Sequence, residues 1–154
     1  MRRVLTYAVA GCVAGLTLAG RTAAMEMHGS KDEAVEMVKK GVVYIKTHGE
    51  KMAYTEFTRE DGQFRDRGLY LVVYRLDGRV LAHGQNRKMV DKNLIKLRDI
   101  DGKPFIKETV DLAKSKSAFW MDHRFTNPVT KKIEPMEMYC ERLKNTVVCS
   151  GHFM

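Results

Sequence analysis

The strongest constraint on the fold is the dipeptide Asp77–Gly78, which stands between two runs of strand-forming residues. Residues 69–76 are LYLVVYRL and residues 79–84 are RVLAHG. An Asp-Gly pair favours the tight turn of a β-hairpin, because such turns need a backbone conformation that glycine adopts readily. We therefore predict that the two runs are antiparallel neighbours. A lone hairpin is marginally stable in water, so it must belong to a larger, covered sheet.

A long helix is predicted before the hairpin, over residues 30–57. A serine and a glutamate three residues apart give its start the spacing of a capping box. Gly41 and Gly49 weaken the helix and allow a kink or a break. His48 belongs to the apolar stripe and is expected to be a core histidine rather than a ligand. The stripe consists of residues three or four positions apart: Ala34, Val38, Gly41, Val42, Ile45, His48 and Met52.

The remaining segments complete an α+β pattern. A short helix is predicted over residues 105–116, a strand over 117–125, and two final strands on either side of Lys144–Asn145. The order is long helix, two strands, short helix, three strands. We predict a five-stranded antiparallel sheet with the long helix packed on one face and the short helix covering the other.

Two of the three cysteines are placed to form a cross-strand disulfide. If Lys144–Asn145 is a two-residue turn, counting outward puts Cys140 opposite Cys149 at a non-hydrogen-bonded pair, where the strands lie closest. An oxidising compartment would permit that bond. A turn one residue longer would spoil the register, and two buried free thiols are the alternative.

The first 24 residues have the pattern of a secretory signal peptide. Arg2 and Arg3 precede an uncharged, mostly apolar stretch over residues 4–20, and small residues allow cleavage after Ala24. The expected organisation is a signal peptide over 1–24 and one domain over 25–154, located in the periplasm. An uncleaved anchor helix and lipidation at Cys12 are the alternatives.

The charge distribution indicates a solvated surface rather than a nucleic-acid interface. The net charge is +8, and removal of residues 1–24 takes away three arginines and no acidic residue. The remaining basic residues alternate with acidic ones, whereas a nucleic-acid interface would be a basic stripe with aromatic residues.

Motifs that would indicate an enzyme or a metal site are absent from the sequence. There is no nucleophile elbow and no phosphate-binding loop. Cys149 and His152 have a two-ligand spacing at most, and a strand would place them on opposite faces. We therefore expect a protein that is not an enzyme and has no cofactor.

Three segments together resemble the single Cache domain, a PAS-like extracytoplasmic sensor module. Residues 69–84 resemble the family's strand, turn and strand ending in histidine. Residues 91–114 resemble its Lys-Asn-Leu loop, Asp-x-Asp-Gly-Lys turn and helix, and residues 119–140 its aromatic strand and Pro-containing connection. The resemblance covers most of the chain after the leader.

The resemblance implies a pocket on the sheet for a small molecule, commonly a short organic acid. Because side chains along a β-strand alternate between its two faces, Tyr70 and Tyr74 share one face. The opposite, aliphatic face of the same strand is expected to meet the long helix. Histidine, tyrosine and tryptophan supply hydrogen-bond donors for a carboxylate in an apolar cavity. The implied ligand-binding residues are Tyr70, Tyr74, His83, Trp120, His123, Tyr139 and Arg67. The alternatives are that His83 is a strand-end histidine bonded to the backbone and that Trp120 packs in the core.

Three positions depart from the family's pattern. Met136 stands where a lysine is usual, His123 where a tyrosine is frequent, and Asp91 where a glycine is usual. A lysine would contribute a charged hydrogen bond to a carboxylate, worth about 1.5–3 kcal/mol. Its loss leaves two alternatives open, a less charged ligand or an interaction module that has lost its ligand. A bulge near Pro135 would be needed for Met136 and Tyr139 to line one pocket.

Signalling partners are expected because the sequence ends at Met154 without a kinase or receptor segment. The expected protein is a free-standing binding module that passes its signal to a membrane receptor or kinase. Relatives often dimerise through the long helix, where Met37, Val38 and Tyr44 are candidates for the contact.

Overall fold

A computed structural model describes residues 28–154. The predictions of a signal peptide, an anchor helix and a lipidated Cys12 lie outside these residues. Within them, no helix combines the length and apolar character needed to cross a bilayer. The elements are α1 (Lys31–His48), α2 (Glu50–Thr58), β1 (Arg65–Asp66), β2 (Leu69–Arg75), β3 (Val80–His83), α3 (Phe105–Ser115), β4 (Ala118–Thr126), β5 (Ile133–Leu143) and β6 (Thr146–Phe153).

The α+β architecture with one antiparallel sheet is confirmed. The strands lie in the order β3–β2–β6–β5–β4, and the two-residue β1 pairs with the first residues of β2. This short sixth strand was not predicted. Helices α1 and α2 cover one face of the sheet, and α3 with the segment 84–104 covers the other. The sheet is therefore buried on both faces.

The predicted long helix breaks at Gly49, one of the two glycines expected to allow a break, and forms two helices. Gly49 has φ +80° and ψ 160°, a conformation that ends α1 and starts α2 in a new direction. The capping box at Ser30 is present, with the Glu33 amide donating to the serine hydroxyl at 3.2 Å. The apolar stripe holds as far as Ile45, but His48 and Met52 are exposed. His48 is therefore not a core residue.

Strand alternation divides β2 between two cores. Leu71 and Val73 pack against Val38 and Ile45 of α1, as predicted for the aliphatic face. Tyr70, Val72 and Tyr74 point to the opposite face and belong to a second core between the sheet and α3. Helix α3 contributes Phe105, Ile106, Val110 and Ala113 to this core.

The last hairpin has the predicted register. Leu143 pairs with Thr146, so Lys144–Asn145 is a two-residue turn, and Cys140 pairs with Cys149. The two cysteines form a disulfide with a Cα–Cα distance of 4.1 Å. The disulfide links β5 and β6 on the face of the sheet that α3 covers.

Candidate functional site

A small cavity lies between the sheet and α3. Its volume is about 10 Å³. Aromatic, aliphatic and sulfur-containing side chains make up most of its wall. The lining residues are Tyr70, Val72, Tyr74, His83, Phe105, His123, Phe125, Met136, Met138, Ser150 and Gly151.

Two tyrosines and a histidine reach the cavity from the predicted hairpin. Tyr70 and Tyr74 lie on the face of β2 that points to α3, and His83 ends β3 opposite Val72. The rings of Tyr70 and His83 stack with centroids 5.3 Å apart. All three side chains are nearly fully buried, with 3%, 2% and 1% of their surface exposed. The close pairing of β2 and β3 thus concentrates their polar atoms in one place.

His83 has a defined tautomer because one ring nitrogen is already occupied. Its Nδ1 accepts hydrogen bonds from the backbone amides of Gln85 at 3.2 Å and Asn86 at 3.0 Å. The ring proton must therefore lie on Nε2, which is free to donate. Burial lowers the pKa of His83 to about 4, so the ring is neutral at pH 7.

The backbone of Gly84 lies too close to its neighbours for a larger residue. A Cβ there would lie 2.8 Å from the Cβ of Tyr70 and 3.1 Å from the carbonyl oxygen of Phe57. Histidine and glycine end the hairpin together because the imidazole holds the following loop while the glycine permits close packing.

His123 is the second neutral imidazole of the cavity. It lies on β4 with its ring stacked on Phe105, the centroids being 4.4 Å apart and the planes 6° apart. Burial lowers its pKa to about 4, against a smaller opposing effect of Asp99. Among residues 28–154, its Nδ1 is buried without a hydrogen-bond partner. Such atoms are rare in folded proteins and call for an explanation.

The two tyrosine hydroxyls are also held in an apolar setting. Burial raises the pKa values of Tyr70 and Tyr74, and no hydrogen bond contributes to either shift. Both hydroxyls therefore stay protonated and available as donors. Within the described part of the chain, no lysine, arginine, aspartate or glutamate lines the cavity. Its polar groups are all neutral, and Met136, 2% exposed, occupies the position where the sequence comparison expected a lysine.

The sequence profile described as Single Cache domain 2 matches residues 21–154. The chain belongs to the single Cache domain family. No curated protein sequence matches it.

Solved structures of sensor domains share the fold of this Cache domain. A methyl-accepting chemotaxis protein from Vibrio parahaemolyticus RIMD 2210633 is 20% identical with a TM-score of 0.68, covering 80% of this chain and 87% of that one. A Cache chemosensory domain whose structure describes carboxylic acid recognition is 18% identical with a TM-score of 0.68, covering 80% and 92%. A periplasmic sensor domain of a chemotaxis protein is 20% identical with a TM-score of 0.62, covering 80% and 89%. The family is one of sensory ligand-binding modules.

Trp120 and Tyr139 do not reach the cavity of this Cache domain. They pair across β4 and β5 with ring centroids 5.2 Å apart, on the face covered by α1. Lys31 of α1 lies over the Trp120 ring, 4.3 Å from its centroid, and the Tyr139 hydroxyl donates to Glu141 at 2.9 Å. Regular strand alternation is the reason, because Met136 and Met138 occupy the cavity face of β5 and no bulge intervenes.

Arg67 lies outside the cavity, in the turn between β1 and β2. Its guanidinium pairs with Glu33 and with Asp66, the latter at 2.9 Å, and these partners raise its pKa. It lines a surface groove of about 250 Å³ together with Arg65 and Tyr70. Tyr70 therefore separates this outer groove from the inner cavity.

Asp91 does not line the cavity either. Its φ is +66°, a left-handed conformation that glycine adopts without strain. The departure from glycine at this position therefore affects the backbone of the covering loop rather than the chemistry of the site.

Several cavity residues escaped the sequence analysis. Phe105, Phe125 and Met138 lie in the predicted helix and strands, but the sequence patterns assign none of them to the site. Strand alternation could have identified Met138, because it lies two residues from Met136 and therefore on the same face of β5. Nothing in the local sequence of Phe105 or Phe125 indicates a cavity, since both are ordinary core positions. Among the described residues, no cluster of three or more potential ligands is placed to hold a metal ion.

Proposed function

We propose that this Cache domain is a periplasmic sensory module that binds a small molecule, a short organic acid, in the cavity beneath α3. The observation that carries the proposal is the convergence of four neutral polar side chains, one of which has a buried atom without a hydrogen-bond partner. Tyr70, Tyr74, His83 and His123 line one small space, and the Nδ1 of His123 is buried without a partner among residues 28–154. Buried polar groups normally find hydrogen bonds, and a ligand with two oxygens would provide them.

The size of the cavity restricts the ligand and requires the wall to move. A volume of about 10 Å³ is enough for roughly one water molecule. Met136 and Met138 are unbranched and can change rotamer. Phe105 is the side chain by which α3 lines the cavity. Binding is therefore expected to shift these side chains outward. Only ligands with a few carbon atoms are compatible with such a limited rearrangement.

The outer groove provides a route to the cavity. Arg65 pairs across the strands with Tyr70, and its guanidinium donates to the side chain of Gln85 at 3.0 Å and to the carbonyl of Glu60 at 3.2 Å. No carboxylate within residues 28–154 forms a salt bridge with Arg65, so its charge can attract an anion. Rotation of the Tyr70 ring would then connect the groove with the cavity.

The proposed location and output follow from different observations. A signal peptide over residues 1–24 and the disulfide between Cys140 and Cys149 both suit an oxidising periplasm. One structural neighbour is itself a periplasmic sensor domain. Ligand binding would be communicated to a membrane receptor or a kinase.

A thermal-shift panel tests the ligand site. It compares acetate, propionate, pyruvate and lactate with propionamide and with amino acids. A ligand at 100 times its Kd should stabilise the domain by about 2.7 kcal/mol, an increase in Tm on the order of 10 °C. Failure of every compound to raise the Tm would reject a small-molecule site.

Two matched tyrosine variants locate the ligand. Tyr74→Phe removes a hydroxyl from the cavity, and the lost hydrogen bond should weaken binding by about 2- to 10-fold. Tyr139→Phe removes a hydroxyl from the opposite face and should leave affinity unchanged. Equal effects of the two variants would place the ligand elsewhere.

The tight packing of the cavity favours a second candidate, an interaction module that pairs with another copy of itself. A groove of about 740 Å³ runs along α1, lined by Met37 and Tyr44 and by Val43, which is 59% exposed. Val38, a predicted contact residue, is fully buried against the sheet and does not belong to this surface.

The order of charged residues along α1 is compatible with association of two antiparallel copies. Glu33 and Glu36 precede Lys39 and Lys40 along the groove, so an antiparallel copy would oppose unlike charges. Sedimentation velocity should show a dimer that Val43→Glu abolishes. Ile133→Glu, at an exposed position on β5, is the control that should preserve it. A monomer at high protein concentration would reject this candidate.

A further inference from the structure

The cavity offers no fixed positive charge to an anionic ligand. Among residues 28–154, no lysine or arginine lines it, and Met136 occupies the position where the family's pattern has a lysine. An ionised carboxylate transferred into such a space without a compensating charge is strongly disfavoured. A short organic acid that binds here must therefore obtain its counter-charge from a group that is neutral before binding.

The two cavity histidines differ in their ability to accept a proton. The Nδ1 of His83 already accepts two backbone amides, from Gln85 and Asn86, so a proton there would break both hydrogen bonds. The Nδ1 of His123 is buried without a partner among the described residues. Protonation of His123 produces an imidazolium with an N–H on Nδ1, whichever tautomer the neutral ring adopts.

We infer that a short monocarboxylate binds in this cavity together with one proton from solvent, and that His123 holds the proton and donates it from Nδ1 to a ligand oxygen. The inference rests on the proposed ligand-binding function. Neutral His123, one solvent proton and the carboxylate give an imidazolium–carboxylate pair, so charge and protons balance. His83 and the two tyrosines act as neutral donors to the same ligand.

The groups around His123 are consistent with this assignment. Burial is the main cause of its low pKa, about 4, so the ring is neutral before the ligand arrives. Asp99 from the loop before α3 and Asp122 from its own strand favour the charged ring, while Lys103 opposes it. The other packed elements present no charge, since α3 contributes Phe105 and β5 contributes aliphatic sulfur-containing side chains.

The inference predicts that affinity falls as pH rises. Free His123 is neutral above its pKa of about 4, and the bound ring is protonated up to a higher pKa. Between these two values each bound ligand takes up one proton, and Kd should increase about tenfold per pH unit. A ligand recognised only by neutral donors would show no such dependence.

Titration calorimetry with propionate tests the proton directly. Binding is measured at the same pH in two buffers with different heats of ionisation, and the difference gives the protons taken up per ligand. We expect about one for the unaltered protein. In parallel, the ¹⁵N shifts of the His123 ring should change to those of an imidazolium when propionate is added.

Two variants assign the proton to a residue. His123→Gln keeps a polar side chain but cannot be protonated, and it should bind propionate without proton uptake. His152 lies on the other face of the sheet, beside Glu137. The control variant His152→Gln should therefore still take up a proton when propionate binds. If His123→Gln fails to fold, the ring shifts of the unaltered protein still decide the question.

The outcomes separate this inference from the proposed function. Propionate binding without proton uptake, or equal affinity for propionate and propionamide, would overturn the proton-coupled mechanism and leave a small-molecule site in place. Failure of every panel compound to bind between about pH 5.5 and 7.5 would overturn both.

Discussion

The two neutral histidines should make the domain sensitive to mild acid. In the folded protein the pKa values of His83 and His123 are lowered to about 4 from an ordinary 6.5, with burial as the main cause. Between these values the unfolded chain binds more protons than the folded one. The free energy of unfolding must therefore decrease as the pH falls through the window from 6.5 to 4.

The size of the effect follows from those pKa values. At pH 5 an unfolded histidine is almost fully protonated, while His83 and His123 in the folded state are almost fully neutral. Each contributes a loss of about 2 kcal/mol between pH 7.5 and 5, and the pair a loss of about 4 kcal/mol. A domain of this kind is stable by about 5–15 kcal/mol, so the loss is readily measured.

The paired acidic groups contribute little to the pH dependence at pH 5 and above. Glu33, Asp77 and Asp111 have pKa values lowered to about 2, chiefly by hydrogen bonds to Ser30, Arg75 and Lys107 respectively. Their stabilising contribution is present above their ordinary values of 4.5, 3.8 and 3.8, and is lost as the pH falls from there towards 2. At pH 5 and above, the histidines dominate the pH dependence.

Urea unfolding at pH 7.5 and pH 5 measures the loss, with the fluorescence of Trp120, the only tryptophan of the chain, as the signal. His83→Gln and His123→Gln should each remove about half of the pH dependence. His48→Gln alters an exposed histidine and is the control that should preserve it. Equal stability of the unaltered protein at the two pH values would refute the assignment of neutral, buried imidazoles.

Three further predictions concern stability at neutral pH. Phe105→Ala should lower the free energy of unfolding in urea by about 3–5 kcal/mol because it deletes a buried ring that stacks on His123. A loss as small as that from truncating an exposed side chain would contradict this packing. Asp91→Gly should raise the free energy of unfolding by about 0.5–1 kcal/mol because it relieves a φ of +66°, and Asp91→Ala, which keeps the strain, should not. Replacing Cys140 and Cys149 together by serine should cost about 2–3 kcal/mol in thermal unfolding, as expected for a loop with a separation of 9 residues. A double variant as stable as the parent would show that the disulfide adds nothing.

Local turn chemistry made much of the sheet predictable. Asp77–Gly78 specified the first hairpin, and the two-residue turn at Lys144–Asn145 fixed the last one. Because strand register follows from the turn, the pairing of Cys140 with Cys149 could be counted from the sequence. These features depend on residues close together in the chain, which is why they did not require knowledge of the tertiary structure.

The break at Gly49 limited the prediction of the helices. The apolar spacing continues through His48 to Met52 as if one helix were present. A single glycine conformation reorients the following helix, and the buried positions become Ala53 and Phe57 instead. Periodicity cannot reveal such a change, since whether a glycine bends a helix depends on the surface against which both halves pack.

The candidate site was predictable where strand alternation was applied consistently. Alternation placed Tyr70 and Tyr74 together, and it separated Tyr139 from Met136. Placing Tyr139 in the pocket required a bulge that β5 does not have. The volume of the cavity, in contrast, depends on how Phe105 and its neighbours fill the space, and no sequence pattern specifies that packing.

The three departures from the family's pattern have different physical consequences, and those at Met136 and His123 concern the ligand. Asp91 strains a covering loop, whereas Met136 lines the cavity at the position where the family's pattern has a lysine. A site with a lysine holds a carboxylate at any pH at which the lysine is charged. A site with neutral tyrosines and histidines can hold the same ligand only by acquiring a proton or by selecting an uncharged compound. Under the proposed function, the exchange of lysine for methionine is therefore expected to give a pocket whose occupancy depends on pH.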